Sequence, residues 1–252
     1  MNPWNLIPLV LLILFGAAVG CGLTITLFAW HWRRKYSDTQ GPVGDWRPPA
    51  LPDFAPTQRG FLARPTSWLT VRSRNPAAVQ SALGLHHARP CTWMEGLAND
   101  RELFIAPPVN GWIVIVGSGL PDPADDVDAS FRFLLELSRK LGHVQFFNAS
   151  AVSGHHAWVR AEAGRIVRAY VWGGETLWNQ GLKSRAELEL GLKCFRYLEA
   201  PDFAPFGQTD VIAANVHKVP LLAARWSFDP ASIDQRVWEQ APGIAGEAPP
   251  RF

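Results

Sequence analysis

The chain has 252 residues, with 24 basic and 22 acidic side chains and a formal net charge of +2. This near balance argues against a nucleic-acid partner, because proteins that bind nucleic acid usually carry a strongly basic surface. The three cysteines show no Cys-x-x-Cys spacing. Neither a disulfide framework nor a zinc site is therefore expected. Cysteines without disulfide partners are typical of proteins in a reducing compartment.

The first predicted element is a membrane-spanning helix over residues 6–30, from Leu6 to Trp30, where no side chain is charged. A helix of this length would reach roughly 37 Å at about 1.5 Å per residue. The hydrocarbon core of a bilayer is about 30 Å thick. Aromatic residues flank the run and a basic cluster follows it, at Trp4, Trp30, Trp32, Arg33, Arg34 and Lys35. We therefore predict a single-pass anchor over residues 1–36 whose partner is the lipid bilayer.

The basic cluster also predicts the orientation of the anchor. Lys and Arg accumulate on the cytoplasmic side of membrane helices, and here none of them precedes the helix. We therefore expect the N-terminus outside and the remaining domain in the cytoplasm, at a bacterial inner membrane. A cleaved signal peptide and a lipoprotein modified at Cys21 are the alternatives. The missing basic n-region and the apolar residues beyond Cys21 favour the anchor.

The rest of the chain divides into a linker, a folded domain and a tail. Residues 37–66 are rich in proline, which predicts an extended spacer. Residues 67–238 carry the patterns of strands and helices and are predicted to form one soluble domain. Residues 239–252 are rich in Pro, Gly and Ala and are predicted to be a disordered tail.

Hydrophobic patterns and turn residues place the elements of the domain. Strands are predicted at 68–73, 91–94, 102–106, 112–116, 143–148, 156–161 and 165–172. Helices are predicted from Pro76 to Gly84, at 123–141, from Ser184 to about Phe195, and at 210–226 with a break or restart at Pro220. Ala163 and Gly164 are the expected tight turn of an antiparallel hairpin.

This order of elements predicts the α+β class, with a largely antiparallel sheet packed with helices on one face. A ferredoxin-like core with a split βαβ unit is one candidate topology. The best-marked helix is 123–141, in which Asp122 is the expected cap, Pro123 the first residue and Gly142 the end. Glu136 and Lys140 are one turn apart and should form an ion pair on its exposed side.

Acidic residues and histidines supply the candidate metal ligands, which are Asp125, Asp126, Asp128, His155 and His156. The aspartates lie at the start of the predicted helix, where carboxylates also interact favourably with the helix dipole. Their spacing does not match an EF-hand, and neighbouring histidines on a strand point to opposite faces. Helix capping and ordinary surface histidines therefore compete with a divalent-metal site, and no cofactor is predicted.

Four aromatic residues around the hairpin, Trp158, Tyr170, Trp172 and Trp178, are the candidate binding residues. Tyr170 and Trp172 share one face of a strand because side chains alternate, and Trp158 is expected to pair across from them. Such a row can bind a sugar, a base or a peptide, but large aromatics also fill protein cores. Both interpretations stay open at the level of sequence.

No catalytic signature accompanies these residues. The Gly-Ser-Gly at 117–119 follows a buried strand, but a nucleophile elbow would need glycine at position 116, where the chain has Val116. The glycine patterns of phosphate-binding loops do not occur. Cys91 and Cys194 have no base that the sequence places beside them. No catalytic residue is therefore predicted.

Five segments carry a resemblance to a known family: GWIVIVGSGLPD, FRFLLELSRKLGHVQFF, HAWVRAEAGRIVRAYVWGGETLWNQG, AELELG and LLAARWSFDP. Over residues 93–229 the chain resembles an uncharacterised family of bacterial proteins that share a domain of unknown function. The resemblance implies a bacterial origin and a single domain. It implies no activity, ligand or catalytic residue.

These observations lead to two functional hypotheses. The first is a single-pass inner-membrane protein whose cytoplasmic domain binds a protein or a small molecule without catalysis, in an immunity or accessory role. It is motivated by the tether, the aromatic residues and the missing catalytic pattern. The alternative is a membrane-tethered hydrolase or metal-dependent enzyme that uses the aspartates and histidines named above. An enzyme should gather those side chains in one concave pocket, whereas capping aspartates lie at a helix end.

Overall fold

The computed structural model describes residues 65–98, 103–199, 208–232 and 241–249. The strands within these ranges are β1 (Ser67–Val71), β2 (His86–Cys91), β3 (Leu103–Ile105), β4 (Ile113–Val116), β5 (His143–Ala149), β6 (His156–Glu162), β7 (Arg165–Trp172), β8 (Thr176–Gln180) and β9 (Gly243–Glu247). The helices are α1 (Pro76–Leu83), α2 (Trp93–Ala98), α3 (Val127–Leu141), α4 (Arg185–Glu189) and α5 (Gln208–Trp226), with a 3-10 turn at Pro230–Ser232.

The nine described strands form one sheet with the order β2-β9-β3-β4-β1-β5-β6-β7-β8. Each neighbouring pair of strands is antiparallel. The predicted α+β class with a largely antiparallel sheet is therefore confirmed. The ferredoxin-like candidate is wrong, because a split βαβ unit needs two parallel strands and the described sheet contains no parallel pair.

The central strand β1 shows why both faces of this sheet are covered. It pairs with β4 on one side and β5 on the other, so Leu69 lies between Ile115 and Phe146. Consecutive residues from Trp68 to Val71 are all buried, which is typical of a strand covered on both faces. Successive side chains of β1 point to opposite faces of the sheet, so each face must be covered by its own apolar layer.

Different helices supply these two layers. On the α3 face, named for the helix that covers it, α1 and α3 pack on the strands through Val79, Leu83, Leu134 and Leu137. On the α5 face, α2, α5 and the chain after α4 pack on the strands through Trp93, Val219, Leu222, Leu192 and Phe195. The prediction of helices on one face is therefore wrong, because the central strands present apolar residues on both sides.

The ends of α1 follow their sequence signals. The Oδ1 atom of Asn75 accepts a hydrogen bond from the N–H of Ala78 at 3.2 Å, and Pro76 is the first helical residue. Gly84 ends the helix in the left-handed conformation with φ of 65°, which glycine adopts at little cost. Cap, first residue and end are all as predicted.

Helix α3 begins later than predicted, at Val127 and not at Pro123. Its cap is Asp126, whose Oδ1 accepts from the N–H of Ala129 at 2.8 Å. Asp122 instead closes a preceding turn, in which its backbone oxygen accepts from the N–H groups of Asp125 and Asp126, each at 3.1 Å. The run of aspartates offers more than one possible cap, and the structure uses the later one.

Helix α2 begins inside the strand predicted at 91–94, so that only Cys91 of that range lies in a strand, at the end of β2. Thr92 and Glu95 form a capping box: the N–H of Thr92 donates to Glu95 Oε2 at 2.9 Å, and the N–H of Glu95 donates to Thr92 Oγ1 at 3.3 Å. These hydrogen bonds lower the pKa of Glu95. The capping pattern is local and visible in the sequence, and it outweighs the weak strand pattern.

Helices α4 and α5 also differ from their predicted extents. α4 ends at Glu189 and does not reach Phe195, because the chain beyond it crosses the α5 face and buries Leu192 there. α5 continues without interruption through Pro220. The prediction of a break at this proline is therefore wrong, even though proline removes one helical hydrogen bond.

Strand β9 occupies residues that we expected to belong to a disordered tail. It lies between β2 and β3, with Ile244 opposite Pro90 on one side and Ile105 on the other. Ala245 is fully buried. The small residues that suggested disorder are what allow the strand to fit, since a Cβ atom on Gly243 would lie 2.5 Å from the carbonyl oxygen of Ile105.

The predicted anchor over residues 6–30 and the linker as far as residue 64 lie outside the described residues. Within the described ranges, no helix combines the length and the apolar character that crossing a bilayer requires.

Substitution of Gly243 tests whether β9 belongs to the sheet. We expect Gly243→Ala to lower the free energy of unfolding by about 2 kcal/mol or more, because the added methyl group meets a backbone oxygen that cannot move away. Glu247→Ala, at an exposed position of the same strand, should change it by less than about 0.5 kcal/mol. Urea unfolding of the full chain measures both, and equal stability of the two variants would contradict the placement of β9.

Candidate functional site

The predicted aromatic row is part of the core and not a surface. Trp158 lies opposite Tyr170 on the neighbouring strand with ring centroids 4.8 Å apart, and Trp172 lies on the same face. All three are nearly or fully buried. Trp178 is buried on the α3 face, where its ring contacts that of Phe131 at 5.7 Å. The structure therefore brings three of the four residues together and separates the fourth.

The segment after α4 covers these rings and uses their polar atoms. The N–H of Phe195 donates to the hydroxyl oxygen of Tyr170 at 3.2 Å, and the Phe195 ring lies 5.0 Å from that of Trp172. Thr176 Oγ1 donates to the carbonyl oxygen of Phe195 at 3.1 Å. Burial raises the pKa of Tyr170 to about 12, so its hydroxyl stays protonated. No face of this row is open to a ligand among the described residues.

A buried ion pair lies beside the row. Glu187 Oε1 accepts from Arg168 Nε and from Trp158 Nε1, both at 2.8 Å. Its other oxygen accepts from the N–H of Ser184 at 2.7 Å, which completes the predicted capping box of α4. The side chains of Arg168 and Glu187 are only 3% and 0% exposed, so the charges compensate each other away from water.

The remaining N–H groups of Arg168 hold two more segments in place, the end of β8 and the chain after α4. Its terminal nitrogens donate to Asn179 Oδ1 at 2.9 Å, to the carbonyl oxygen of Gln180 at 3.0 Å and to Cys194 Sγ at 3.2 Å. Burial raises the pKa of Cys194 to about 11, so the sulfur is a thiol and not a thiolate at neutral pH. A thiolate is the nucleophilic form, and Cys194 therefore acts here as a hydrogen-bond acceptor.

The structure separates the candidate metal ligands. Asp126 caps α3, while Asp125 and Asp128 are exposed around the same helix start. His156 lies on the α5 face, on β6, and His155 precedes it in the turn. Across the described residues, no three His, Cys, Asp or Glu side chains are close enough to hold one metal ion.

His156 has a structural environment. Its Nδ1 lies 3.0 Å from the carbonyl oxygen of Gly154, and its Nε2 lies 3.2 Å from Nδ2 of Asn215 in α5. The side chain of Asn215 also bonds to the backbone of Lys193. Its Oδ1 accepts from the Lys193 N–H at 3.1 Å, and its Nδ2 donates to the Lys193 carbonyl oxygen at 2.7 Å. Burial lowers the pKa of His156 to about 4, which keeps the ring neutral. The histidine therefore joins β6 to α5 and to the chain after α4.

A second polar group, centred on Gln145, was not singled out by the sequence. The Gln145 Nε2 atom donates to the carbonyl oxygen of Trp226 at 3.2 Å and lies 2.9 Å from His143 Nε2. Its Oε1 accepts from Thr70 Oγ1 at 3.2 Å. The carbonyl can only accept, so the amide points its N–H groups towards Trp226 and the imidazole, and His143 Nε2 must accept.

His143 is therefore held as a neutral imidazole. Burial, and then the positive charge of Arg160, lower the pKa of His143 to about 4. Its Nδ1 lies 3.6 Å from Glu162 Oε1, which Arg160 also contacts at 2.6 Å. Ser227 also belongs to this polar group, because its hydroxyl oxygen lies 3.3 Å from Thr70 Oγ1. A polar residue inside an apolar strand, Gln145, was the sequence signal for this group.

The described surface also contains a cleft of about 400 Å³ on the α3 face, between α1 and α3. Buried Leu83, Leu103 and Leu137 lie at its base. Its other lining residues are Ser81, Ala82, Gly84, Ala129, Arg132, Phe133, Glu136, Lys140, Ala248 and Pro249. The sequence did not single out this cleft, because its lining comes from four separate segments of the chain.

The rim of the cleft carries charge. The predicted pair of Glu136 and Lys140 is present, with Oε1 and Nζ 2.8 Å apart, and Lys140 Nζ also lies 3.5 Å from the carbonyl oxygen of Ala82 across the cleft. Arg132 is exposed, and none of the described carboxylates forms an ion pair with it. Among the described residues, the cleft therefore combines an apolar base with two basic side chains and one carboxylate.

No family model matches the chain, and no curated protein or solved structure shows significant similarity to it. The resemblance of residues 93–229 to a bacterial family therefore stays an expectation.

Loss of charge at position 187 tests the role of the buried pair. Glu187→Gln keeps the size of the side chain but leaves the Arg168 guanidinium without its counter-charge, and should cost about 3–5 kcal/mol of unfolding free energy. Glu189→Gln removes a half-exposed pairing with Arg185 on the same helix and should cost less than about 1 kcal/mol. Urea unfolding of both variants gives the comparison, and similar losses would show that the buried pair has no special role.

The lowered pKa of His143 predicts a dependence of stability on pH. The unfolded chain binds a proton to this histidine near pH 6.5, while the folded protein does so only near pH 4. Stability should therefore fall as the pH decreases from about 6.5 to about 4, by at most about 3 kcal/mol for this residue. His143→Gln should remove this part of the slope, and His217→Gln, at an exposed position of α5, is the matched control. A wild-type slope that survives in His143→Gln would contradict the assignment.

Proposed function

We propose that the chain is a single-pass membrane protein whose α+β domain, on the cytoplasmic side, binds a segment of a partner protein without catalysing a reaction. The membrane part of this proposal comes from the uncharged run over residues 6–30 and the basic cluster that follows it. The binding part comes from the cleft between α1 and α3.

The cleft is the observation that carries the proposal. Its volume of about 400 Å³ is within the range of ligand sites. A groove between two helices with an apolar base suits apolar side chains of a short peptide segment, which is one of the common modes of peptide recognition. Arg132 at the rim favours a segment that carries an acidic residue beside its apolar anchors.

The side chains that could serve in catalysis have structural roles instead, which favours a binding function over an enzymatic one. Asp126 caps a helix, His156 joins β6 to α5, and the thiol of Cys194 is held protonated beside Arg168. A hydrolase or metal enzyme built on the predicted aspartates and histidines would need several of these in one place, and the described residues keep them apart.

Charge reversal at the rim of the cleft tests the proposal. A photo-crosslinking residue at Ser81, introduced into the full chain in its native membranes, should form a defined adduct with one partner, identified by mass spectrometry. Arg132→Glu should reduce this adduct by about tenfold, because 1.4 kcal/mol corresponds to a factor of ten in affinity. Arg139→Glu, an exposed position of α3 that does not line the cleft, is the matched control.

The proposal would be abandoned if the two reversals reduced the adduct equally, or if position 81 formed no adduct. Resistance of the full chain to alkaline extraction from membranes reports on the anchor separately. A reporter fused after Arg34 that proves active only outside the cytoplasm would overturn the orientation.

A further inference from the structure

The outer surface of the layer that covers the α5 face carries an unusual number of exposed apolar side chains. Leu188 in α4 is 64% exposed and Leu221 in α5 is 48% exposed. The chain before α4 adds the exposed side chain of Leu182, and the chain after α4 adds those of Tyr197 and Leu198. Five of the eight strongly exposed large apolar residues of the described chain thus lie in α4, in α5 or within ten residues of α4.

Hydrogen bonds between α5 and the chain around α4 show that Leu188 and Leu221 are neighbours. Near one end, Arg225 Nη1 lies 3.4 Å from the carbonyl oxygen of Ala186. Near the other end, Lys218 Nζ lies 3.4 Å from the carbonyl oxygen of Gly191. Leu188 falls between the two attachment points on one segment and Leu221 falls between them on the other. We call this surface the α4–α5 surface.

Basic residues outnumber exposed acidic residues in the two segments that carry these leucines. Within residues 185–193 and 211–226, the basic residues are Arg185, Lys193, Lys218 and Arg225. The acidic residues in the same ranges are Glu187, which is buried against Arg168, and Glu189, which pairs with Arg185 at 2.6 Å and lies 3.8 Å from Arg225. Within these two ranges, four basic residues therefore accompany a single exposed carboxylate.

We propose that the α4–α5 surface lies against an anionic lipid bilayer. Leucines flanked by Lys and Arg are the side chains that surface-bound segments insert at the boundary of headgroups and acyl chains. The apolar side chains would enter that boundary while the basic side chains reach lipid phosphates, since both Lys and Arg have long flexible stems. Four basic side chains in the presence of one exposed carboxylate suit the negatively charged headgroups of such a bilayer.

The proposal rests on the membrane anchor proposed above, because a tether strengthens weak contacts. A chain already held at the bilayer presents its domain to the lipid at high effective concentration, so a surface with few contacts can still be occupied. The α4–α5 surface and the cleft lie on opposite faces of the sheet. The domain can therefore lie on lipid through one surface and leave the cleft open to its partner.

Thiol labelling of the full chain in lipid nanodiscs tests the proposal. Leu221→Cys and Leu188→Cys should react with a water-soluble maleimide about fivefold more slowly on discs that contain phosphatidylglycerol than on discs of phosphatidylcholine alone, because only the former attract the basic residues. The difference should disappear in high salt, which screens surface charge. Val167→Cys, exposed on β7, is the position control, and labelling of the unsubstituted chain is the background.

Charge reversal separates lipid docking from other causes of protection. Lys193→Glu combined with Lys218→Glu should restore fast labelling at position 221, whereas Arg132→Glu combined with Arg139→Glu on the other face should not. Equal labelling on both kinds of disc, or protection that survives the first pair and high salt, would overturn the proposal. Alkaline extraction reports independently whether the anchor is present, so failure of the anchor and failure of the surface give different results.

Discussion

The closure of the α5 face depends on the buried pair of Arg168 and Glu187. Glu187 completes the cap of α4 and also neutralises the guanidinium of Arg168, so the ion pair ties the start of this helix to β7. The chain that leaves the helix then reaches Phe195, which covers the aromatic rings of β6 and β7. The same guanidinium holds the end of β8 through Gln180. One ion pair thus links a helix start, an aromatic core and a strand end, and either charge alone would be costly there.

Burial of the sheet on both sides also decides which groups remain available at the surface. Neutral His143 and His156, the thiol of Cys194 and the hydroxyl of Tyr170 all have pKa values moved in the direction that keeps them uncharged. Uncharged polar groups suit an interior in which hydrogen bonds replace water. The surface chemistry of the domain is then left to its helices, with an acidic and basic rim at the cleft and a basic, leucine-bearing surface on the opposite side.

Local signals predicted local structure well, and long-range contacts were not predictable. Asn75 with Gly84, and Ser184 with Glu187, are short-range patterns, and the structure contains both caps. The position of β9 depends on pairing with strands more than a hundred residues earlier, so its small residues suggested disorder. The aromatic row was predicted to share a face, but only the covering segment around Phe195 makes it core. The cleft joins four separate segments and has no sequence signature.

The sheet order has a consequence for how the chain acquires its structure. β3 gains its second neighbour, and β2 its only described neighbour, when β9 enters between them. During synthesis the preceding strands emerge first, so the edge of β3 stays unpaired until residues 243–247 have left the ribosome. An unpaired apolar edge can associate with other chains. The slowest and most aggregation-prone stage of biogenesis should therefore be the interval before this late strand inserts, because contacts of long sequence separation form slowly.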